Sequence, residues 1–383
     1  MAPSLMDPVL PSPHTANHTA EDNVTAGEVE LVVPDMFTSI MSVEIVQNPH
    51  YVEVKKEADA WVAEILGYSE KQAARNSRAD FAYMVSWWVG PHCDADTLRT
   101  LIDWNHWFDE GHLKDDIYGA AREIIHMMSL LDNGHPGITR EEDPLGYIFQ
   151  HVYRKLQKYR YRKCKSLYIR VQILLLTCPP TDVEQYMLGV LAQFNSRKMD
   201  LETITVEEFM VFRRATVAAM PCMALVEYAL GIEVPEDVIN HPSLKACQEV
   251  SVDLKPGLTL LSHNDILSYK KDVLSGEDLS IINILRSQGW TLQDAVDETG
   301  RMLDGCYQRW YEALLKMPSW GSTIDRIVYI YLEGIRNIAL GCLLWSFWTE
   351  RYFNREEGRL VRETRKLRLP IPSPLSSTSA AKV

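Results

Sequence analysis

Asn264, Ser268 and Asp272 recur at four-residue intervals in the segment HNDILSYKKD, residues 263–272. On a helix each step of four turns about 40° past a full revolution, so the three side chains form one slowly drifting stripe. All three present oxygen. An amide carbonyl, a hydroxyl and a carboxylate are hard ligands, a set that suits magnesium or manganese better than metals that want His and Cys. Lys271, beside the stripe, supplies positive charge for an anionic ligand of such a metal. The same spacing also describes a solvated helix face. What surrounds the stripe decides its meaning.

A chain of 383 residues with 46% hydrophobic content is long enough to bury a large core. From Val33 to about residue 355 apolar residues recur at three- and four-residue spacing with few alternating runs, which predicts an all-α chain of about ten helices. A helix is expected to begin after Gly90 and Pro91 with Asp94 or Asp96 as its cap, and NGHPGITREEDP, CPPTD, GIEVPEDVINHPS and KMPSWG read as loops. No fixed-period repeat points to a solenoid. The start, MAPSLMDPVLPSPHTANHTAEDNVTAGE, is rich in Pro, Ser, Thr and Asn and lacks an apolar signal core, so residues 1–32 are expected to be disordered. After Arg359 the chain turns basic and then Pro/Ser-rich, giving an expected flexible tail over 359–383 and one domain over 33–358.

The net charge of −13 and the lack of a basic run argue against a nucleic-acid partner. Seven scattered cysteines with no CxxC pair fit reduced thiols and a cytoplasmic location better than a disulfide framework. The apolar stretch SLYIRVQILLLTCPP, residues 166–180, is interrupted by Arg170 and Gln172 and too short to span a bilayer. A protein without a membrane span is expected. Oligomeric state is not encoded in any of these features.

The segment NDILSYKKD is similar to the Asn-Asp-x-x-Ser-x-x-Lys-Asp/Glu motif of fungal class I terpene synthases. FRRATVA at 212–218 resembles the family segment that carries a pyrophosphate-sensing Arg, and WSFWTERY at 345–352 resembles its C-terminal Arg-Tyr pair. Flanking stretches such as DWNHW, FDEGHLKDD, HPSLKAC and CYQRWYEAL look especially like the presilphiperfolanol synthase branch of fungal sesquiterpene cyclases. The resemblance implies a single class I helical bundle around a central cavity, farnesyl diphosphate as substrate, and magnesium, with manganese as the alternative, as cofactor. It implies metal ligands at Asn264, Ser268, Asp272 and Asp109, with Asp109 and Glu110 as the catalytic acids of the early motif.

Ionising a C–O bond against a diphosphate requires the leaving group to be neutralised by metal ions and cationic side chains. Arg213 and Arg351 suit bidentate phosphate contact, Tyr352 offers a hydroxyl and Lys271 a point charge. The carbocation left behind needs a water-poor surround with aromatic faces, for which Trp87, Trp88, Trp310 and Trp345 are candidates. Each of these tryptophans is equally readable as core.

Three stretches depart from the family pattern. The early Asp-rich motif is replaced by DWNHWFDEGHLKDD, which lacks about seven residues between Trp107 and Phe108, roughly two helical turns. Asn105 and His106 then stand four and three residues before Asp109, and Asp116 lies two turns beyond it. Pro256 and Gly257 interrupt the expected helix leading into the Asn-Asp motif, and a long amphipathic pattern is missing from roughly 155–205. Two readings therefore stand. The chain is a magnesium-dependent sesquiterpene cyclase, or it is an impaired or non-catalytic protein of that fold that at most binds an isoprenoid diphosphate.

Overall fold

Local chemistry sets several helix boundaries. Ser69 and Gln72 cap each other reciprocally, the Ser69 hydroxyl accepting the Gln72 N–H and Gln72 Oε1 accepting the Ser69 N–H at 3.0 Å. Asp80 takes a left-handed backbone with φ 50°, ending one helix, while its carboxylate accepts the Tyr83 N–H at 3.1 Å and starts the next. Asp94, one of the two expected caps, accepts the Thr97 N–H at 2.8 Å. The computed structural model describes residues 27–110, 122, 126, 129, 130, 135–163, 203–216, 219–254, 265–275 and 279–371.

The elements are β1 (Glu28–Val32), α1 (Tyr51–Ile65), α2 (Glu70–Ala79), α3 (Phe81–Trp88), α4 (Ala95–Glu110) and α5 (Pro144–Lys163). They continue with α6 (Val206–Thr216), α7 (Ala219–Leu230), the single turn α8 (Glu236–Ile239), α9 (Pro242–Leu254) and α10 (Tyr269–Ser275). The last are α11 (Ile281–Ser287), α12 (Leu292–Leu315), α13 (Ser322–Trp348), α14 (Arg355–Thr364) and β2 (Lys366–Pro370). Among the described residues the all-helical expectation holds except for one two-stranded sheet.

The centre of the bundle is α13. It packs on α3, α7, α9 and α14, and α3 and α5 pack in turn on α4. Small residues allow the closest approaches. A Cβ on Gly334 would lie 2.3 Å from Val226 Cγ1 of α7, and one on Gly341 would lie 2.9 Å from the Met84 carbonyl of α3. Among the described residues α13 is the one helix long and apolar enough to cross a membrane, and 61% of its most apolar window is buried inside the protein. That burial is what a core helix requires. The 166–180 stretch lies outside the described residues. The five described cysteines are buried thiols with no disulfide among them.

The ends of the described chain depart from the expected boundaries at 32 and 359. Residues 28–32 pair antiparallel with residues 366–370, Glu28 opposite Pro370 and Leu31 opposite Leu367, and α14 runs into β2. Leu31, Leu367 and Leu369 are buried, whereas Glu30 reaches Lys366 at 2.8 Å and Arg368 at 2.9 Å. Gln293 extends the ladder by bonding both the N–H and the carbonyl of Val32 at 2.9 Å. Each five-residue strand alternates apolar and charged side chains, but neither can be recognised as ordered without its partner more than 300 positions away.

Candidate functional site

Ser268 and Asp272 belong to one helical turn, the Asp272 N–H bonding the Ser268 carbonyl at 2.8 Å. The Ser268 hydroxyl is buried and donates to Asp272 Oδ2, so the two side-chain oxygens meet on the same face. Asn264 lies outside the described residues, and so do the side chains of Asp109 and Glu110 and the whole of Asp116, Pro256 and Gly257. Lys271 is half-exposed, with Nζ 3.5 Å from Asp272 Oδ1. Among the described residues no three His, Cys, Asp or Glu side chains gather as a metal site. The hydroxyl–carboxylate pair is nonetheless a hard donor set, converging within one turn, that fits part of a divalent-cation shell.

Asp265 fixes this turn in place. It is buried, its Oδ2 accepts the Ile281 N–H of α11 at 2.7 Å, and its Oδ1 lies 4.0 Å from Arg213 Nη2. Arg213 thus reaches from α6 to the turn that carries Ser268, with its guanidinium 5.5 Å from the Phe209 ring centroid. Arg214 points elsewhere. It forms a two-pronged bond to Asp253 of α9 at 2.6 and 2.7 Å, and Arg309 of α12 joins the same carboxylate at 2.5 Å. The adjacent arginines of FRRATVA therefore divide, one locking α6 to the bundle and the other facing the motif.

The Arg-Tyr pair arrives from the end of α13. Tyr352 is buried and its phenol is pushed up to about 12, first by burial, with the negative charge of Asp272 adding to the rise and Arg351 opposing it. The end of the aromatic helix is tied to the motif helix through Glu357, five residues past Tyr352, which pairs with Lys270. Arg351 lies 5.9 Å from the Trp345 ring centroid, and Trp345 meets Tyr352 edge-on at 5.9 Å. The motif helix α10 also packs on β2, and Lys270 forms an ion pair with Glu357 of α14.

The four candidate tryptophans do not share one environment. Trp345 is fully buried, donates its indole N–H to the Ala79 carbonyl at 2.6 Å and stacks on Phe81 at 5.3 Å. It belongs to the core and also underlies Arg351. Trp88 is buried beside Gly341, Trp87 is half-buried and meets Tyr83 edge-on at 5.7 Å, and Trp310 is buried on α12. A second aromatic group was not singled out from the sequence. Trp104, Trp107 and Phe149 join α4 to α5 with centroid separations of 4.8–6.4 Å. Its signal would have been the three-residue spacing of two tryptophans on one helix.

On α4 the polar residues before Trp107 serve the bundle itself. Asp103 is fully buried and bonded to Arg99 Nε at 2.7 Å, and burial, only partly offset by Arg99, pushes its carboxyl up to about 6. Asn105 donates to the Leu101 carbonyl of its own helix at 2.8 Å. His106 is buried against α1, its Nε2 3.6 Å from Asp59, and burial pushes its imidazole down to about 4.

Residues 101–309 match the family model described as "Terpene synthase family 2, C-terminal metal binding". The chain is 37% identical over 370 residues to (+)-eremophilene synthase of Gibberella fujikuroi, covering 94% of this chain and 99% of that one. It is 36% identical over 355 residues to a protein of the same organism named inactive (1R,4R,5S)-(-)-guaia-6,10(14)-diene synthase, covering 89% and 85%. The solved structure of a-eudesmol synthase superposes with a TM-score of 0.63 over 79% of this chain and 96% of the other at 17% identity. A family match across more than half of the residues, together with relatives spanning nearly the whole chain, makes this protein a member of the fungal class I terpene synthase family.

Proposed function

We propose that the chain is a magnesium-dependent sesquiterpene cyclase that converts farnesyl diphosphate to a cyclic sesquiterpene and diphosphate. The observation that supports this most is the convergence of three separate segments on one turn. Ser268 and Asp272 offer oxygens, Asp265 draws in Arg213, and the Lys270–Glu357 ion pair ties the stretch that follows Arg351 and Tyr352 to the same segment. A divalent ion held there supplies charge neutralisation of the leaving group.

In this reading Asn264, Ser268 and Asp272 hold the metal. Arg213, Arg351 and Lys271 pair with phosphate oxygens, and the Tyr352 hydroxyl, kept protonated by its burial, donates to one of them. The C–O bond breaks with its electron pair leaving on the diphosphate, the allylic cation closes onto its own double bonds without a protein nucleophile, and the final cation loses a proton to give a hydrocarbon or captures water and loses a proton to give an alcohol. Trp345, whose face already underlies a guanidinium, and Trp87, Trp88 and Trp310 are the proposed aromatic stabilisers of positive charge. Asp109 and Glu110 are proposed as the acids of the opposite wall, and the compartment as the cytoplasm. The test is gas chromatography of products from the purified chain given farnesyl diphosphate and Mg²⁺. No hydrocarbon or alcohol product above a metal-free control would sink the cyclase reading.

One observation favours a second reading, an impaired member that binds diphosphate without efficient turnover. The polar residues of α4 ahead of Asp109 are turned inward, Asp103 and Asn105 bonding within their own helix and His106 buried against α1, and a relative 36% identical carries the name of an inactive synthase. Tight Mg²⁺-dependent pyrophosphate binding with no product would separate this reading from the first.

A further inference from the structure

Lys270 and Lys271 are neighbours on α10, so their side chains leave the helix about 100° apart. Lys271 lies beside Asp272, whereas Lys270 turns away and forms an ion pair with Glu357, both partners about three-quarters buried at 25% and 24% exposure. Glu357 is held on its own side. Its N–H is capped by Asn354 Oδ1 at 2.9 Å, and the next residue, Gly358, lies so close to α13 that a Cβ there would stand 2.4 Å from the Phe347 carbonyl. The start of α14 therefore cannot slide along α13, and it begins three residues after Tyr352. On the other flank α10 packs on β2. The bridge joins the helix carrying Ser268 and Asp272 to the segment carrying Arg351 and Tyr352, across 87 positions of sequence.

Building on the diphosphate site proposed above, we propose that Lys270 and Glu357 are positioning residues that set the metal-holding turn of Ser268 and Asp272 in register with the Arg351–Tyr352 clamp. Neither touches the ligand. Their contribution is to hold two half-sites at the separation that one pyrophosphate spans, and for such a site a small misplacement weakens every contact at once. An exposed ion pair of no positional consequence would contribute only about 0–1 kcal/mol to stability and leave ligand affinity unchanged.

The experiment is calorimetric titration of the full chain with inorganic pyrophosphate across a series of Mg²⁺ concentrations, with thermal unfolding recorded for every variant. Lys270→Met and Glu357→Gln should each weaken Mg²⁺-dependent affinity about tenfold, the size given by a coupling of about 1.4 kcal/mol. The double exchange Lys270→Glu with Glu357→Lys should recover most of that loss. Single variants that bind like the parent, or a double exchange no better than the singles, would overturn the proposal. A drop in unfolding temperature with unchanged affinity would overturn it too, since that is the mark of a purely structural bridge. Asp272→Ala serves as the control for the underlying site: affinity indifferent to both Asp272 and Mg²⁺ would mean that the site assignment itself had failed.

Discussion

The helix α4 and the motif segment that ends in α10, the two walls of the proposed site, handle polar residues in different ways. In the motif segment from 265 to 275, which ends in α10, the side chains have separate tasks: Asp265 and Lys270 fasten the segment to its neighbours, leaving Ser268 and Asp272 to meet on one face. On α4 the polar residues from 103 to 106 are all buried: Asp103 and Asn105 bond within their own helix, to Arg99 and to the Leu101 carbonyl, and His106 faces Asp59 of α1. A polar residue at a motif position is a ligand only if something else holds the helix.

The largest effect that would break this contrast lies on α4. A version carrying about seven further residues with an acidic pair before Phe108, and lacking Pro256, should turn over farnesyl diphosphate by about 1,000-fold or more above the chain as it stands, since ligands of one metal cluster act as a unit. Chromatography of products from both chains decides it, and equal vigorous output would show that the residues from Asp109 onward already complete the wall. Next is Asp272→Ala, which should lower Mg²⁺-dependent pyrophosphate affinity by at least about 100-fold, the loss expected when the charged donor of a hard site is removed. Unchanged binding by calorimetry would reduce the stripe to a polar face.

A smaller step is expected at the clamp. Arg351→Ala should cost about 2–3 kcal/mol of pyrophosphate binding and Tyr352→Phe about 1 kcal/mol, in keeping with charged and neutral hydrogen bonds respectively. The reverse order would place Arg351 outside the site.

The smallest effect concerns stability and sharpens the account of α4. His106 has a folded value near 4 against an ordinary 6.5, so its contribution to stability is present above pH 6.5 and is lost as the pH falls towards 4, by up to about 3 kcal/mol. Asp103 runs the other way: raised from 3.8 to about 6, its contribution is present below 3.8 and is lost as the pH rises through 6. The two slopes oppose each other over nearly the same window. His106→Gln removes one of them, so urea unfolding at pH 7 and pH 4.5 should show the variant gaining stability on acidification relative to the parent. Parallel curves would mean that His106 is not buried as a neutral base.

What the sequence made legible is what short-range periodicity carries. Helices, the cap at Asp94, and the face shared by Ser268 and Asp272 all depend on neighbours within four positions. The division of Arg213 from Arg214 was not legible, because adjacent helical residues differ only in which neighbour each one meets, and Asp253 and Asp265 stand on other helices. Nor were Asp265 and Glu357 as anchors, or the tie between the chain's two ends, since each becomes visible only when distant segments are brought together. His106, a residue type that could ligate a metal, is instead buried against Asp59 of α1, a contact 47 positions away that the sequence did not reveal.

The pairing of Glu28–Val32 with Lys366–Pro370 also bears on synthesis at the ribosome. The first strand emerges early and waits, unpaired, for nearly the whole length of the polypeptide to be translated, whereas the helices between them can form as they appear. Contacts of such long sequence separation form late, and until this one forms an apolar edge stays open to other chains. Because β2 also packs on α10, the motif helix acquires its final support only once Lys366–Pro370 has been made. Nascent chains stalled before residue 366 should therefore be helical yet prone to associate, with the diphosphate site among the last parts of the molecule to mature.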